Sequence, residues 1–463
     1  MGPDERMSLL RDSLHRKYGS TYQKAYYPED SEAPVFISTT LTRFWVLFIF
    51  SLLSWIHCVL WNTWGPINES VTYAFPTWDS STVAMTVNWT TIMFLVFIVP
   101  MCFAVQRCGL RNIMLLSTGL VSLGTALRCI TMEVPWFTIT CELCAVFVGI
   151  ASTLILSGPS LIACDWFPQN ERTTAIAVMM GASQLGGVGS YLEPLLVRLP
   201  PQVMIPNVVE DIKHDIKILL YIGAAGAGAL LLATIVYFPS KPDIPPSVTS
   251  STDRMSVYAG AKSLAKNKNF LLLLLAYGVS LGPPIGWVPL LDYSLLPLGF
   301  HQDHAMWVGL CAVIASSLFP VAFGQVVDRC RLNMRNCLVA LMLLSTVCFY
   351  WFLLLSYGTI PVSNWQIYVS VVGGVTFNYT TIPIFFELAV EVVYPVPEIL
   401  VSGILTAADN LTTTLFLLVF LIPDIGYLWI TSTLVLCTSF TIIPLLMAKI
   451  DYKRTNLDFA SQT

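Results

Sequence analysis

Two glutamates, Glu387 and Glu391, stand four residues apart inside the apolar stretch Ile382-Pro-Ile-Phe-Phe-Glu-Leu-Ala-Val-Glu-Val-Val. In a helix that spacing puts both carboxyls on one face. Two acids on one face repel each other when both are ionised, so the pair is suited to binding and releasing a proton. An ionisable side chain in hydrocarbon costs about 2.5–3.5 kcal/mol on insertion scales, and it therefore as a rule faces a cavity. Glu387 is the expected proton-coupling group, with Glu391 beside it. The plainer alternative places Glu391 at a membrane interface and gives Glu387 one helix-to-helix hydrogen bond. His57 is a third candidate, because an ordinary imidazole titrates between acidic and neutral pH; a packed, neutral histidine is its alternative. Asn62, Glu142, Glu193, Asp409 and Asn410 are the other polar groups in apolar surroundings.

The elements that carry these residues are twelve apolar stretches, each long enough to cross a bilayer: 44–64, 84–105, 112–130, 137–160, 173–195, 217–238, 270–291, 306–327, 336–356, 365–390, 400–422 and 426–447. Composition agrees, with 55% hydrophobic and 11% charged residues and a mean hydropathy of +0.70. A water-soluble domain carries about twice that charge fraction. The fold class is an all-α membrane protein. Nothing in the sequence indicates nucleic-acid binding, and the partners expected are a small-molecule substrate, protons and membrane lipid.

Twenty of the 24 Lys and Arg residues fall in one alternating set of segments: the N-terminal arm, the loops after the second, fourth and eighth spans, the central loop and the tail. Arg128, Arg198, Lys213 and Lys217 fall on the other side. Basic residues concentrate in cytosolic loops, so both termini are expected in the cytosol. Asn68-Glu-Ser70 then lies in the first non-cytosolic loop, where a glycosylation acceptor belongs. The matching triplets at Asn378 and Asn410 lie inside spans and are not expected to be modified. Residues 1 to 40 are polar and lack the compact apolar core of a cleavable signal, so the first span is the expected insertion signal. Most of the 12 cysteines lie in spans or cytosolic loops, which argues against a disulfide framework. Cys141 and Cys144 form a C-x-x-C with no second pair or histidine nearby, so no metal and no cofactor is expected.

Pro239, Pro242, Pro245 and Pro246 open a Ser/Thr- and Lys-rich stretch at 239–268 with six spans on each side. The divisions expected are an arm at 1–42, a first six-helix bundle at 43–238, a linker at 239–268, a second bundle at 269–448 and a tail at 449–463. Paired halves around a central site are a common transporter plan. The loop after the eighth span reads Gly324-Gln-Val-Val-Asp328-Arg329, with Arg335 beyond it. Its counterpart after the second span has Cys102, Gln106, Arg107 and Arg111. These loops resemble the G-x-x-x-D-R/K-x-G-R pattern of the major facilitator superfamily, whose members rock two six-helix halves. The resemblance implies a cytosolic gate at Arg107, Arg111, Asp328, Arg329 and Arg335, and the Gln at 106 puts the first half's clamp in doubt.

Trp61-Asn-Thr-Trp-Gly-Pro66, Leu123-Gly-Thr-Ala-Leu-Arg-Cys129 and the long stretch Ile382 to Pro397 are similar to solute carrier family 49 within that superfamily. The resemblance covers essentially all twelve spans. It implies transport: one branch carries choline-like and haem-related cargo, and another is associated with electrogenic, proton-linked export of small metabolites such as pyridoxine from lysosomes. Glu5-Arg-Met-Ser-Leu9-Leu10 fits the acidic dileucine signal that clathrin adaptors read, which points to the lysosomal membrane. Glu142, Glu193 and Asp409 depart from the family's neutral residues.

In this superfamily the first and seventh spans face each other across the pore. Trp61, Asn62 and Trp64, with Tyr277 and Trp287 opposite and Asn378 on the tenth span, are the expected substrate-binding residues. Aromatic faces bind flat or cationic ligands at about 0.5–2 kcal/mol per cation-π contact. Trp64 and Trp287 fit interfacial anchoring equally well. Gly65-Pro66 and Gly282-Pro-Pro-Ile-Gly286 interrupt or end the same two spans, where backbone carbonyls are freed toward a cavity. On the fifth span Ala182 with Gly186 and Ser183 with Gly187 allow close helix packing. No H-E-x-x-H, G-x-S-x-G or P-loop is present, so an enzyme is not expected. A receptor or scaffold without transport remains the third class; it predicts that neutral replacements of the buried acids are harmless.

Overall fold

The computed structural model describes residues 23–25, 35–78, 80–198, 200, 206–300, 302–330, 333–419 and 427–460, and among the described residues ten α-helices are long and apolar enough to cross a membrane. Two short antiparallel strands, β1 (Gln23–Ala25) and β2 (Val35–Ile37), precede the first span. The first half contains α1 (Thr42–Asn62), the short α2 (Asn68–Ala74), α3 (Ser80–Leu127), α4 (Trp136–Trp166), α5 (Arg172–Tyr191) and α6 (Pro206–Val236). The connection to the second half carries α7 (Val248–Ser251) and α8 (Val257–Lys266). The second half contains α9 (Lys268–Trp287), α10 (Leu291–Leu295), α11 (Gln302–Cys330), α12 (Met334–Ser356), α13 (Asn364–Ile367), α14 (Gly373–Val393), α15 (Glu398–Leu418) and α16 (Leu428–Met447). A last helix, α17 (Lys453–Ala460), follows the final span.

The second and third spans run together as α3, bent at Gly109, whose φ of 79° is the left-handed conformation that glycine adopts without a Cβ clash. The tenth span is α13 and α14 joined through one π-helical turn at Tyr368–Val372. Lipid faces are apolar and exposed: Leu232, Val347 and Leu436 are each more than 60% open, which only a hydrocarbon surround tolerates along whole helix faces. The spans differ sharply in depth. The apolar window of the tenth is 78% buried against 28% for the sixth, so the helix that carries Glu387 and Glu391 runs through the middle of the molecule.

Helix ends depart from the expected ranges where charged residues stay helical. The sixth span is expected from 217, but α6 starts at Pro206 and carries Asp211 and Asp215, which pair with Arg198 at 2.6 and 2.7 Å. The stretch 239–268, read from sequence as Pro/Ser-rich linker, holds two short helices. Ser247 and Ser256 begin them by accepting backbone N–H groups in their first turns. The tail is likewise helical, and it folds back into the protein.

Candidate functional site

The two halves meet on the face that carries the tail helix α17. On α14 the one-turn spacing of Glu387 and Glu391 places both carboxylates on the side that meets α17. Arg454, fully buried, lies between them: Nη2 donates to Glu387 Oε1, Nε donates to Glu391 Oε1 at 3.2 Å, and Nη1 donates to Cys164 Sγ of α4 at 2.7 Å. Thr455 adds its N–H and its hydroxyl to Glu391, at 3.1 and 2.9 Å. Burial works against the guanidinium's charge, but Cys164 and the carboxylates of Glu387, Glu391 and Glu398 hold it well above the ordinary arginine range. One turn on, Asp458 accepts from Thr249 N at 2.9 Å and meets the fully buried Arg172 at 3.4 Å; Arg172 also donates to Ser247 at 2.7 Å. The tail helix thus holds α14 of one half and α4 and α5 of the other, together with α7 between them.

Helix-to-helix contacts close the same face. Asp328, near the end of α11, accepts from the backbone N–H and the hydroxyl of Thr174 at 2.8 and 2.7 Å. Thr174 lies in the first turn of α5, where N–H groups have no partner within their own helix, so the carboxylate caps α5 across the boundary between halves. Farther along, a Cβ on Gly181 would stand 2.6 Å from the Ser317 carbonyl oxygen, which shows how closely α5 and α11 approach. Ser402 of α15 donates to the Ser157 carbonyl of α4 at 2.5 Å. Gln106, standing where the loop pattern has an acid, donates to Met255 O at 3.1 Å and accepts from Val257 N at 3.3 Å, so it grips the start of α8. Arg107, Arg111 and Arg329 are exposed, and Arg335 donates to Ala448 O at 3.3 Å. Arg254 pairs with Glu398 at 2.6 Å.

The aromatic and amide residues expected at the substrate lie in two separate places. Trp64 packs edge-on against Trp78 and Phe137, at 5.2 and 6.1 Å, in an aromatic cluster on the opposite face. Trp287 is fully buried; it donates to Ser294 Oγ at 2.9 Å and packs on Phe349 and Phe352 of α12. Tyr277 donates to Asp409 at 3.3 Å and packs against Phe385 and Phe386. Each of these contacts stays within its own half, and none joins the two sets. Trp61 and Asn62 are partly exposed at the end of α1, and Trp61 Nε1 is buried with no partner among the described residues. His57, one turn earlier, is buried, and neither ring nitrogen has a hydrogen-bond partner among the described residues. Asn68 is partly buried at the first position of α2. Glu5, Leu9 and Leu10 lie outside the described residues.

Asn378 has a structural task. Pro284 has no N–H to give to the Ser280 carbonyl one turn earlier, and Asn378 Nδ2 supplies that hydrogen bond at 3.0 Å. Thr412 and Thr413 of α15 likewise donate to the Gly278 and Gly282 carbonyls at 2.6 and 3.0 Å. The broken seventh span is therefore braced by its neighbours.

Sequence reasoning missed Arg454, Thr455, Asp458 and Cys164. The available signal was charge: two acids deep in one span require a cation, and a polar tail with an arginine follows the last span.

Residues 35–416 match the family described as Major Facilitator Superfamily. A solute carrier family 49 member 4 homolog of Xenopus tropicalis is 30% identical over 419 residues, which cover 88% of this chain and 90% of that protein. The choline/ethanolamine transporter FLVCR2 of Homo sapiens is 29% identical over 415 residues, 86% of this chain and 73% of that protein. Among solved structures, the proton:xylose symporter XylE bound to 6-bromo-6-deoxy-D-glucose has a TM-score of 0.70 at 12% identity, covering 90% of this chain and 99% of that one. Similarity at that identity speaks to the fold alone.

Proposed function

The chain belongs to the major facilitator superfamily and, within it, to solute carrier family 49; from that premise we propose a proton-coupled, electrogenic transporter that moves a small, pyridoxine-like organic metabolite across the lysosomal membrane. Transport itself follows from the family, whose members here are transporters and not enzymes. The finer reading rests on one observation. Glu387 has one oxygen on Arg454, and its other oxygen, Oε2, is buried with no hydrogen-bond partner among the described residues, whereas both oxygens of Glu391 are engaged.

One guanidinium thus faces two carboxylates, and Glu387 is the less satisfied of them. When the halves rock apart on this face, Arg454 must leave. A buried carboxylate stripped of its partner costs several kcal/mol, and taking up a proton relieves that cost. Proton binding at Glu387 would in this way accompany opening, and Glu391 would hold the tail when the face closes again. A proton carried with a neutral solute moves net charge, which makes the cycle electrogenic. His57 is a second proposed proton site, on the first span, and Trp61, Asn62, Trp64, Tyr277, Trp287 and Asn378 are proposed to meet the substrate when α1 and α9 approach in another state of the cycle.

In this reading the closed face is cytosolic, in keeping with its share of Lys and Arg. Glu5, Leu9 and Leu10 address the protein to lysosomes through a clathrin adaptor, and Asn68 faces the lumen as a glycosylation site. A second reading, a plasma-membrane carrier of choline or haem-like cargo, is favoured by the relative named as a choline/ethanolamine transporter.

The test moves the protein to the cell surface with Leu9→Ala and Leu10→Ala and records pyridoxine-evoked current and uptake at acidic and neutral external pH. Acid-stimulated current that disappears in Glu387→Gln supports the reading. Acid-stimulated flux unchanged in Glu387→Gln removes Glu387 from the coupling. Choline flux without pyridoxine flux favours the second reading.

A further inference from the structure

Glu387, Glu391 and Glu398 are each met by an arginine, but the second half also buries an acid that no cation meets among the described residues. Asp409, midway along α15, is 8% exposed. Its Oδ2 accepts from the Tyr277 hydroxyl of α9 at 3.3 Å, and its Oδ1 is buried with no hydrogen-bond partner among the described residues. Tyr379 of α14 is the other titratable group within electrostatic reach. Helices α3, α4 and α8 also pack on α15, and among the described residues they bring no charged or titratable group that acts on Asp409.

A bare carboxylate in such surroundings is expensive, and either a cation or a proton relieves it. The packing of α9 on α15 decides between the two. A Cβ on Gly278, next to Tyr277, would stand 3.2 Å from Ala408, next to Asp409, and one turn on a Cβ on Gly282 would overlap Thr412 Oγ1. Thr412 donates to the Gly278 carbonyl at 2.6 Å across the same seam. Between the two helices at this level there is no room for an ammonium group or a hydrated metal ion. A proton needs none.

We propose that Asp409 is a second proton-binding site, which holds a proton on Oδ1 while α9 lies against α15 and releases it when water reaches the carboxyl. In the bound form Oδ2 is the carbonyl oxygen that accepts from Tyr277, and Oδ1, to which no described donor points, carries the proton. Tyr277 packs on Phe385 and Phe386 of α14, at 5.5 and 5.8 Å, and these three rings form the wall that keeps water off. Pro283 and Pro284 follow on the same helix, where a bend would shift α9 against α15 and breach that wall. The proton leaves to the entering water. The site itself does not depend on what is transported; its part in coupling rests on the transport reading proposed above.

The experiment records infrared spectra of the purified full chain across a pH series and reads the carbonyl stretch of protonated carboxyl groups. The expected result is a band at neutral pH that is lost in Asp409→Asn and persists in Glu387→Gln. Tyr277→Phe drops only the hydroxyl and should shift the band in frequency, whereas Tyr277→Ala also opens the wall and should weaken it at neutral pH. Bands that all survive Asp409→Asn overturn the proposal. If Asp409→Asn does not fold, Tyr277→Phe decides: an unshifted spectrum overturns it. In the uptake assay Asp409→Asn should lose acid stimulation; loss of the band with acid stimulation intact would make the proton a fixed structural one and overturn its release. A wild type without pyridoxine flux would defeat the transport reading and leave the infrared assignment of the site to stand or fall by itself.

Discussion

Arg454 is inserted between Glu387 and Glu391, two residues from the same helix face, and all three side chains are buried. The contact joins the end of the chain to the middle of the tenth span, and through Cys164 it reaches the other half. Removing the cation leaves two carboxylates facing each other in a low-dielectric interior, which costs about 3–5 kcal/mol for a buried pair broken on one side.

Arg454→Ala is therefore expected to loosen the closed face. Cys164, now fully buried, reports it: a membrane-permeant maleimide should modify Cys164 in Arg454→Ala and spare it in the wild type, with the labelled peptide located by mass spectrometry. Equal protection in both would mean that the helix contacts alone hold the face shut.

The two acids are expected to separate by role. Glu387→Gln keeps a carbonyl acceptor for Arg454 while removing the ionisable group, so acid stimulation of transport should vanish while Cys164 stays protected. Glu391→Gln weakens the acceptor for Arg454 Nε and for Thr455 N and Oγ1, so it should raise Cys164 labelling and leave some acid stimulation. Identical phenotypes for both variants would count against this division.

The all-α membrane fold was legible because hydropathy and charge sorting are properties of the sequence itself. The same was true of the shared face of Glu387 and Glu391, since helical spacing alone places them. What fills the space beside them was not legible: Lys453-Arg-Thr-Asn-Leu-Asp-Phe-Ala reads as an ordinary polar tail, and the burial of Arg454 depends on acids more than sixty residues away. Asn378 shows the same limit. Pro284 announces a carbonyl without its helical donor, but only the packing of α14 on α9 says which amide answers it. Trp64 and Trp287 were readable as large aromatic residues near span ends, while their partners, Phe137 for one and Phe349 for the other, come from distant helices.

Asp328→Asn tests the cap across the halves. The carboxylate accepts two hydrogen bonds at the positive end of α5, and losing its charge there is expected to cost about 1–2 kcal/mol of the closed arrangement. Spin labels on α5 and α11 near this face should show a longer-distance population growing in the variant. Thr174→Val, which removes the hydroxyl donor and keeps the N–H, should produce a smaller shift. An unchanged distance distribution in Asp328→Asn would assign the closure to the tail.

Gly181 offers the sharpest steric test. A Cβ there would meet the Ser317 carbonyl oxygen at 2.6 Å, and that neighbour is backbone, so it cannot rotate away. Gly181→Val should force α5 and α11 apart by overpacking, a penalty of about 1–3 kcal/mol that falls on the closed state alone. Transport should slow because one end of the cycle is disfavoured, and Cys164 labelling should rise even with Arg454 intact. Gly187→Ala on the same helix is the control, since an added Cβ there meets nothing within 4 Å, and alanine is the better helix former. If Gly181→Val transports at the wild-type rate with Cys164 protected, the close approach of α5 and α11 does not limit the cycle, and the closing contacts must be sought at Ser402 and Ser157 and in the tail.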